Sequence, residues 1–318
     1  MITAVRVFLA ILCLAPLAGA QVTPEDLLRT GRAADARRML NQQVQQDPNN
    51  AQAYHLLCRL DYQLELWDAS LKMAEKSVAL SPQNSAYHEW LGRAAGRKAE
   101  NSNPFTAFNL ARRVHAEFER AVALDGNNFS ARADLAEYYL EAPGFLGGDK
   151  SKARQQADAV AAKNPGLADY IRARVDEKQG NSQAEQEYKK AITSSGNDSR
   201  YWTELAYFYR RAGRMQDMET AISQSLRASN QSNLPDYDGA YLLLRTSRNL
   251  PGAIQMLRSY LFGGHLAEDG PAFHAHLMLG TLLEKQGNRK AAADEYRAAL
   301  ALAPEYHAAR DALARISR

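Results

Sequence analysis

His274 and His276, Cys58, and the run Gly147-Gly148-Asp149-Lys150-Ser151 are the residues whose types and spacing could support chemistry. Two histidines two positions apart on a helix face different sides, so they are badly placed to hold one metal together, and His276 is expected in the core. The glycine run shares a Lys-Ser end with phosphate-binding loops. Its leading glycine is misplaced, however, and no buried strand precedes it. Cys58 reads as a small buried hydrophobe, with a reactive or intermolecular thiol as the other reading. Cys13 is the only further cysteine, too few for a disulfide framework or a thiolate zinc site. HExxH, GxSxG and CxxC are all absent. Sequons at Asn128, Asn197 and Asn230 matter only in a eukaryotic secretory route. The expectation is a protein with no catalytic residues, no metal and no cofactor, not an enzyme.

Composition narrows the class further. The 318 residues are 46% hydrophobic and 24% charged, as in ordinary soluble chains, which excludes collagen-like and disordered readings. Basic and acidic residues nearly balance at 39 and 36, net +3, without the excess that a nucleic-acid partner would call for.

Residues 1–20, MITAVRVFLAILCLAPLAGA, combine an early cation, Arg6, with an apolar run from Val7 to Leu17 and a small-residue end at Ala18-Gly19-Ala20. That is the pattern of a secretory signal peptide, and the run is shorter than the ~20 residues a bilayer span requires. The expectation is cleavage before Gln21 and export, periplasmic or secreted, in a bacterium, with no integral span remaining. A retained N-terminal anchor is the alternative.

The elements that must position any site repeat along the chain. Counting Phe273 as position 1, Leu279, Gly280, Leu283 and Gly287 stand at 7, 8, 11 and 15, and Ala292, Tyr296, Ala299 and Pro304 at 20, 24, 27 and 32. Pro48 and Pro82 lie 34 residues apart. Between them, Tyr54, Leu57, Cys58, Ser70 and Ser77 keep the phase, as do Trp202, Leu205, Ala206, Tyr209 and Gly213 further on. Apolar residues at 4, 7 and 11 make one face of a helix, and those at 20, 24 and 27 one face of a second. Small residues at 8, 20 and 27 let helices approach. Glycine at 15 turns the chain, and proline at 32 ends the second helix.

This pattern resembles the tetratricopeptide repeat, with His276 where the family usually carries Trp. The resemblance implies an all-α fold: an α-solenoid of about eight antiparallel helix pairs, a right-handed superhelix following the signal peptide. The units run at about 24–48, 51–84, 85–128, 129–165, 166–198, 199–232, 233–270 and 271–304. Residues 305–318, EYHAARDALARISR, are expected to form a solvating cap. Two units are overlong, and the excess falls in 97–104 and 142–148, both expected as long loops. Phe145 and Leu146, apolar within a Pro/Gly-rich turn, are either a contact for a partner or part of a loop folded over its own repeat.

The family binds partner segments along the concave groove, which the resemblance assigns to positions 2, 5, 9, 12 and 13 of each first helix. On this chain those include His55, Arg59, Tyr62, Glu89, Arg93, Arg97, Arg200, Tyr207, Arg210 and Arg211. Guanidinium forks suit carboxylates, so these arginines read either as carboxylate or peptide readers or as a solvated face paired with Glu89 and Glu137. The Lys/Asn pair with which some relatives hold a terminal carboxylate is replaced here by His55 and Arg59. The implied function is a non-catalytic protein–protein interaction scaffold holding an unidentified protein or peptide partner, not nucleic acid. An accessory subunit or cryptic enzyme of envelope or carbohydrate metabolism, or an outer-membrane assembly factor, is the alternative.

Overall fold

The computed structural model describes residues 22–228 and 233–317; the leader, Gln21 and the Asn230 sequon lie outside the described residues. Seventeen helices follow one another there, with no strand among the described residues. They pair as α1 (Pro24–Arg29) with α2 (Ala33–Gln46), α3 (Ala51–Gln63) with α4 (Trp67–Leu80), and α5 (Ser85–Glu100) with α6 (Pro104–Leu124). Next come α7 (Phe129–Glu141) with α8 (Lys150–Val160), α9 (Pro165–Gln179) with α10 (Ala184–Ser194), and α11 (Ser199–Arg211) with α12 (Met215–Ser225). Last are α13 (Leu234–Thr246) with α14 (Leu250–Phe262), α15 (Ala272–Lys285) with α16 (Arg289–Leu302), and a single α17 (His307–Ile316). The all-α solenoid is thus the observed fold.

Local chemistry sets the ends. Asn50, Asn84 and Asn128 each cap a first helix, accepting from the N–H of Ala53, Tyr87 and Ala131 at 2.9, 3.3 and 2.9 Å. Thr23 and Asp26 form a capping box ahead of α1, with Pro24 in its first turn. The turn between the two helices of a pair needs a left-handed residue, which Gly31, Gly180, Gly213 and Gly287 supply. Glu65 takes that role between α3 and α4 at φ 60°, a conformation side chains with a Cβ adopt at a cost.

Burial separates the two layers. Helix α3 buries eight of its 13 residues, whereas α4 buries three of 14, so the first helix of the pair is the sandwiched one. First helices of successive pairs touch one another (α3 with α5, α5 with α7, α7 with α9, α11 with α13, α13 with α15), and second helices make no comparable contact. The array therefore curves with its first helices inside. Within each pair a small residue meets a ring: a Cβ at Gly92 would fall on Phe118, and one at Gly280 on Tyr296. Tyr188, Tyr260 and Tyr296 are fully buried. Each hydroxyl has an acceptor: Glu177 at 2.7 Å, the Gly270 carbonyl at 2.5 Å and Glu284 at 2.8 Å.

The array returns to its own start. Leu27, Leu28 and Leu40 of the first pair share one apolar cluster with Phe273, Ala299, Ala303, Tyr306 and Ala309. Arg37 bridges Asp61 at 2.6 Å and Glu305 at 2.7 Å, and His274 Nε2 lies 2.8 Å from the Gln63 carbonyl. A Cβ on Gly31 would overlap the Ala272 amide. Here the sequence expectation needs correcting. The expected cap, residues 305–318, does more than solvate the end: its Tyr306 and Ala309 are buried in the seam, because closure matches two surfaces far apart in the chain that local amphipathicity cannot reveal.

Two further expectations change. The excess at 97–104 is not a loop: it lengthens α5 and α6 to 16 and 21 residues, leaving only 101–103 between them. Arg97-Lys98-Ala99-Glu100 are good helix formers, and Asn103-Pro104 caps and starts the next helix. His276 is half-buried rather than core, its Nδ1 2.6 Å from Glu295.

Candidate functional site

The inner face is built from side chains of the first helices, and its arginines are largely engaged by the protein itself. Arg59 donates from Nε to Glu268 at 2.7 Å and again from Nη2, across the seam. Arg93 bridges Glu89 at 3.0 Å and Asp134 at 2.6 Å, and also reaches Ser130. Its charged form is favoured despite burial, since those acids raise its pKa. Arg97 pairs with Glu100 at 2.8 Å above the Trp67 ring. Arg211 is held by Glu177 at 2.5 Å, and Arg200 by Asp198 at the rim. Arg210 has no ion pair among the described residues; it lies over the Tyr207 ring, with its Nε buried and unpartnered. Glu137 is the partner of Arg174 rather than of any predicted groove arginine.

His55 lies between pairs, its ring 4.8 Å from that of Tyr87 and 6.1 Å from that of Trp90. Burial drives its pKa down to about 3, so it is neutral. Glu89 is buried as well, accepting from Asn128 at 2.8 Å. Tyr62 stands edge-on to Trp67 and Trp90, each 5.5 Å away. These rings bound a cavity of about 130 Å³ at the seam, with Gln63, Glu65, Glu268, Asp269, Pro271 and His274 on its other sides. Gln63 donates to the Glu268 carbonyl at 2.9 Å, while its Oε1 has no partner.

Beyond the cavity, Tyr207 is within electrostatic reach of Asp238, Glu204, Tyr237 and Tyr241, and Tyr237 of Glu65. Burial first, then the charges of Glu204 and Asp269, push the Asp238 carboxyl up to about 7. Glu204 is raised too, mainly by burial, with Arg211 and Arg174 opposing. Across the described residues no group of histidine, cysteine and carboxylate side chains is arranged to hold a metal. Cys58 is buried against Ser70, and its thiol is pushed up to about 12. The backbone of the 142–148 segment folds over its own repeat, Tyr138 donating to the Leu146 carbonyl at 2.8 Å. Phe145 nonetheless points outward, 79% exposed, and stacks at 6.4 Å on Phe108.

Two family models, both described as tetratricopeptide repeat, match residues 27–94 and 273–306. The chain is a tetratricopeptide-repeat protein. Those two matched stretches are the ones that meet at the seam. Among solved structures, the tetratricopeptide-repeat array is similar to the APC/C hetero-tetramer Cut9-Hcn1 at 15% identity, covering 93% of this chain and 55% of that one, with a TM-score of 0.41. It thus spans about half the length of that chain. A tetratricopeptide-repeat protein from Parabacteroides merdae gives 13% identity, 93% and 96% coverage and a TM-score of 0.45. PilW, a type IV pilus biogenesis factor, gives 16%, 64% and 89%, and 0.47. No curated protein matches the sequence.

Of the predicted groove residues in this tetratricopeptide-repeat array, Arg59, Tyr62, Arg93 and Arg97 gather around Trp90 and the seam cavity. Tyr207 and Arg210 sit further round, and Arg200 is separate at an edge. Sequence reasoning missed Glu204, Asp238 and Asp269. The first two occupy first helices at positions outside the groove template. Asp269 lies in the 263–271 connection, which becomes part of the inner face only when the array closes.

Proposed function

We propose that this tetratricopeptide-repeat protein is an exported, non-catalytic scaffold that holds a segment of a protein partner on its inner face. Tetratricopeptide repeats mediate protein–protein interaction, which supports the scaffold role. The observation that carries the inner-face reading is the concentration there of half-buried aromatic side chains, Tyr62, Trp67, Trp90, Tyr207, Tyr237 and Tyr241, next to charged groups. Tyrosine and tryptophan supply large contact area at low entropic cost and are enriched where partners anchor. Export rests on the leader, whose cation, apolar run and small-residue end fit a cleaved signal. On this reading the protein works outside the cytoplasm.

A photo-crosslinking amino acid at Tyr207, compared with one at Lys189 on the outer helix α10, tests the face. Inner crosslinks to a discrete partner, absent from the Lys189 position, are expected. Equal crosslinking from both positions, or crosslinking from Lys189 alone, would overturn the reading.

A further inference from the structure

Apart from Arg210, which lies over the Tyr207 ring, the arginines of the inner face are spent on the protein's own acids, but several of its carboxylates have no such partner. Among the described residues no lysine or arginine lies within ion-pair distance of Glu65, Glu204, Asp238 or Asp269. Glu65 and Asp269 are exposed, whereas Glu204 and Asp238 are half-buried. Arg211 and Arg174 act on Glu204 from beyond ion-pair distance, but Asp238 has only the like charges of Glu204 and Asp269 about it, a cost that folding alone does not explain. A second observation points the same way. Gln63 is 7% exposed, lines the cavity shared by Glu65 and Asp269, and carries an acceptor, Oε1, that nothing satisfies. A buried acceptor without a donor is uncommon and calls for a missing partner. Arg97, which also lines the cavity, is tied to Glu100.

We infer that the inner face takes a cationic segment of a partner protein, with one lysine or arginine side chain entering the seam cavity beside Gln63, Glu65 and Asp269 and neighbouring basic residues lying along Asp238 and Glu204. The inference rests on the inner-face reading and fixes the sign of the partner's charge. An ammonium or guanidinium group would donate to the Gln63 Oε1 and to both carboxylates, and the edges of Tyr62, Trp67 and Trp90 would enclose its aliphatic stem. The tyrosines Tyr207, Tyr237 and Tyr241 would flank the chain on the Asp238 side, offering ring faces to further cations. The raised pKa of Asp238 fits: burial first, then the charges of Glu204 and Asp269, hold its proton, and an arriving cation would act against both.

Fluorescence anisotropy with two labelled peptides tests this on the mature protein, one alternating lysine with glycine and one alternating glutamate with glycine. The lysine peptide is expected to bind. The Asp238→Asn/Asp269→Asn double variant is expected to weaken it by about tenfold or more, the scale for losing partly buried charge pairs. Asp294→Asn, on the outer helix α16, is expected to leave binding unchanged. A circular-dichroism melt of the double variant keeps misfolding apart from lost contacts; replacing unpaired carboxylates by amides should hold or raise its midpoint. An equal loss with Asp294→Asn, no binding of the lysine peptide, or tighter binding of the glutamate peptide would each overturn the inference. If the inner-face reading itself fails, the failure shows separately, as absent crosslinks from Tyr207.

Discussion

Gly280 lies mid-helix in α15 with the ring of the fully buried Tyr296 directly across from it. A Cβ there would sit 2.6 Å from Tyr296 Cδ1 and closer still to Cε1, where ordinary contacts begin near 3.4 Å. Tyr296 cannot swing aside cheaply, because its hydroxyl donates to Glu284 at 2.8 Å. Gly280→Leu adds four carbons at this point, and overpacking of this kind costs about 1–3 kcal/mol, at the upper end for so large a group. Leucine recovers under about 1 kcal/mol of helix propensity over glycine, leaving a net loss of about 2 kcal/mol. Gly270 looks from sequence like an open connection, but its Cβ would meet Tyr237 and the Tyr260 hydroxyl at 2.9 Å, so Gly270→Leu is costly too. Gly144, with nothing within 4 Å, is the tolerant comparison, expected within about 0.5 kcal/mol of wild type. Urea midpoints followed by circular dichroism should place wild type and Gly144→Leu together, above both other variants. A Gly280→Leu midpoint equal to that of Gly144→Leu would refute the packing of position 8 against position 24.

Other outcomes follow from the same structure. Intact-mass analysis of exported material should find the chain beginning at Gln21; a retained Met1 or a lipid adduct would count against cleavage. Glu65→Gly should raise the urea midpoint by the equivalent of about 1 kcal/mol, because glycine takes the φ of 60° without the Cβ penalty. No gain would mean that this turn is unstrained. The Asp238 carboxyl, near 7 in the folded protein against an unfolded value of 3.8, faces Glu204, Asp269, Tyr207, Tyr237 and Tyr260. Between those values the folded state binds more protons than the unfolded, so this group's contribution to stability falls as pH rises from about 4 to 7. His55 and His274, lowered to about 3 and about 4, act oppositely and lose stability as pH drops below 6.5. The difference between wild type and Asp238→Asn isolates the carboxylate: the variant should gain relative to wild type as pH rises, and a pH-independent difference would refute the assignment.

Much of the fold is legible in the residues because a repeat states the same local rule many times. Gly280 opposite Tyr296 and Asn50, Asn84 and Asn128 at helix starts are rules of this kind, carried within one unit. What sequence hides is long-range. Arg59 looks free on a helix face, yet its partner, Glu268, is 209 residues away and arrives only through closure. Arg97-Lys98-Ala99-Glu100 read as an insertion because spacing was judged against a fixed repeat length, although their helix propensity already favoured extension. Asp238 carries no motif at all, and its character comes from Glu204 and Asp269 on two other segments.

Closure is the claim on which the seam cavity and the enclosed inner face both depend. Double electron–electron resonance between spin labels at Arg38→Cys and His307→Cys measures it directly, since each is near the Arg37–Glu305 bridge and exposed. Native Cys58, buried and with its thiol pushed up to about 12, should not take the label at neutral pH. A single short, narrow distance is predicted for the mature protein in solution. A broad distribution reaching to long distances would show an open superhelix and contradict the account.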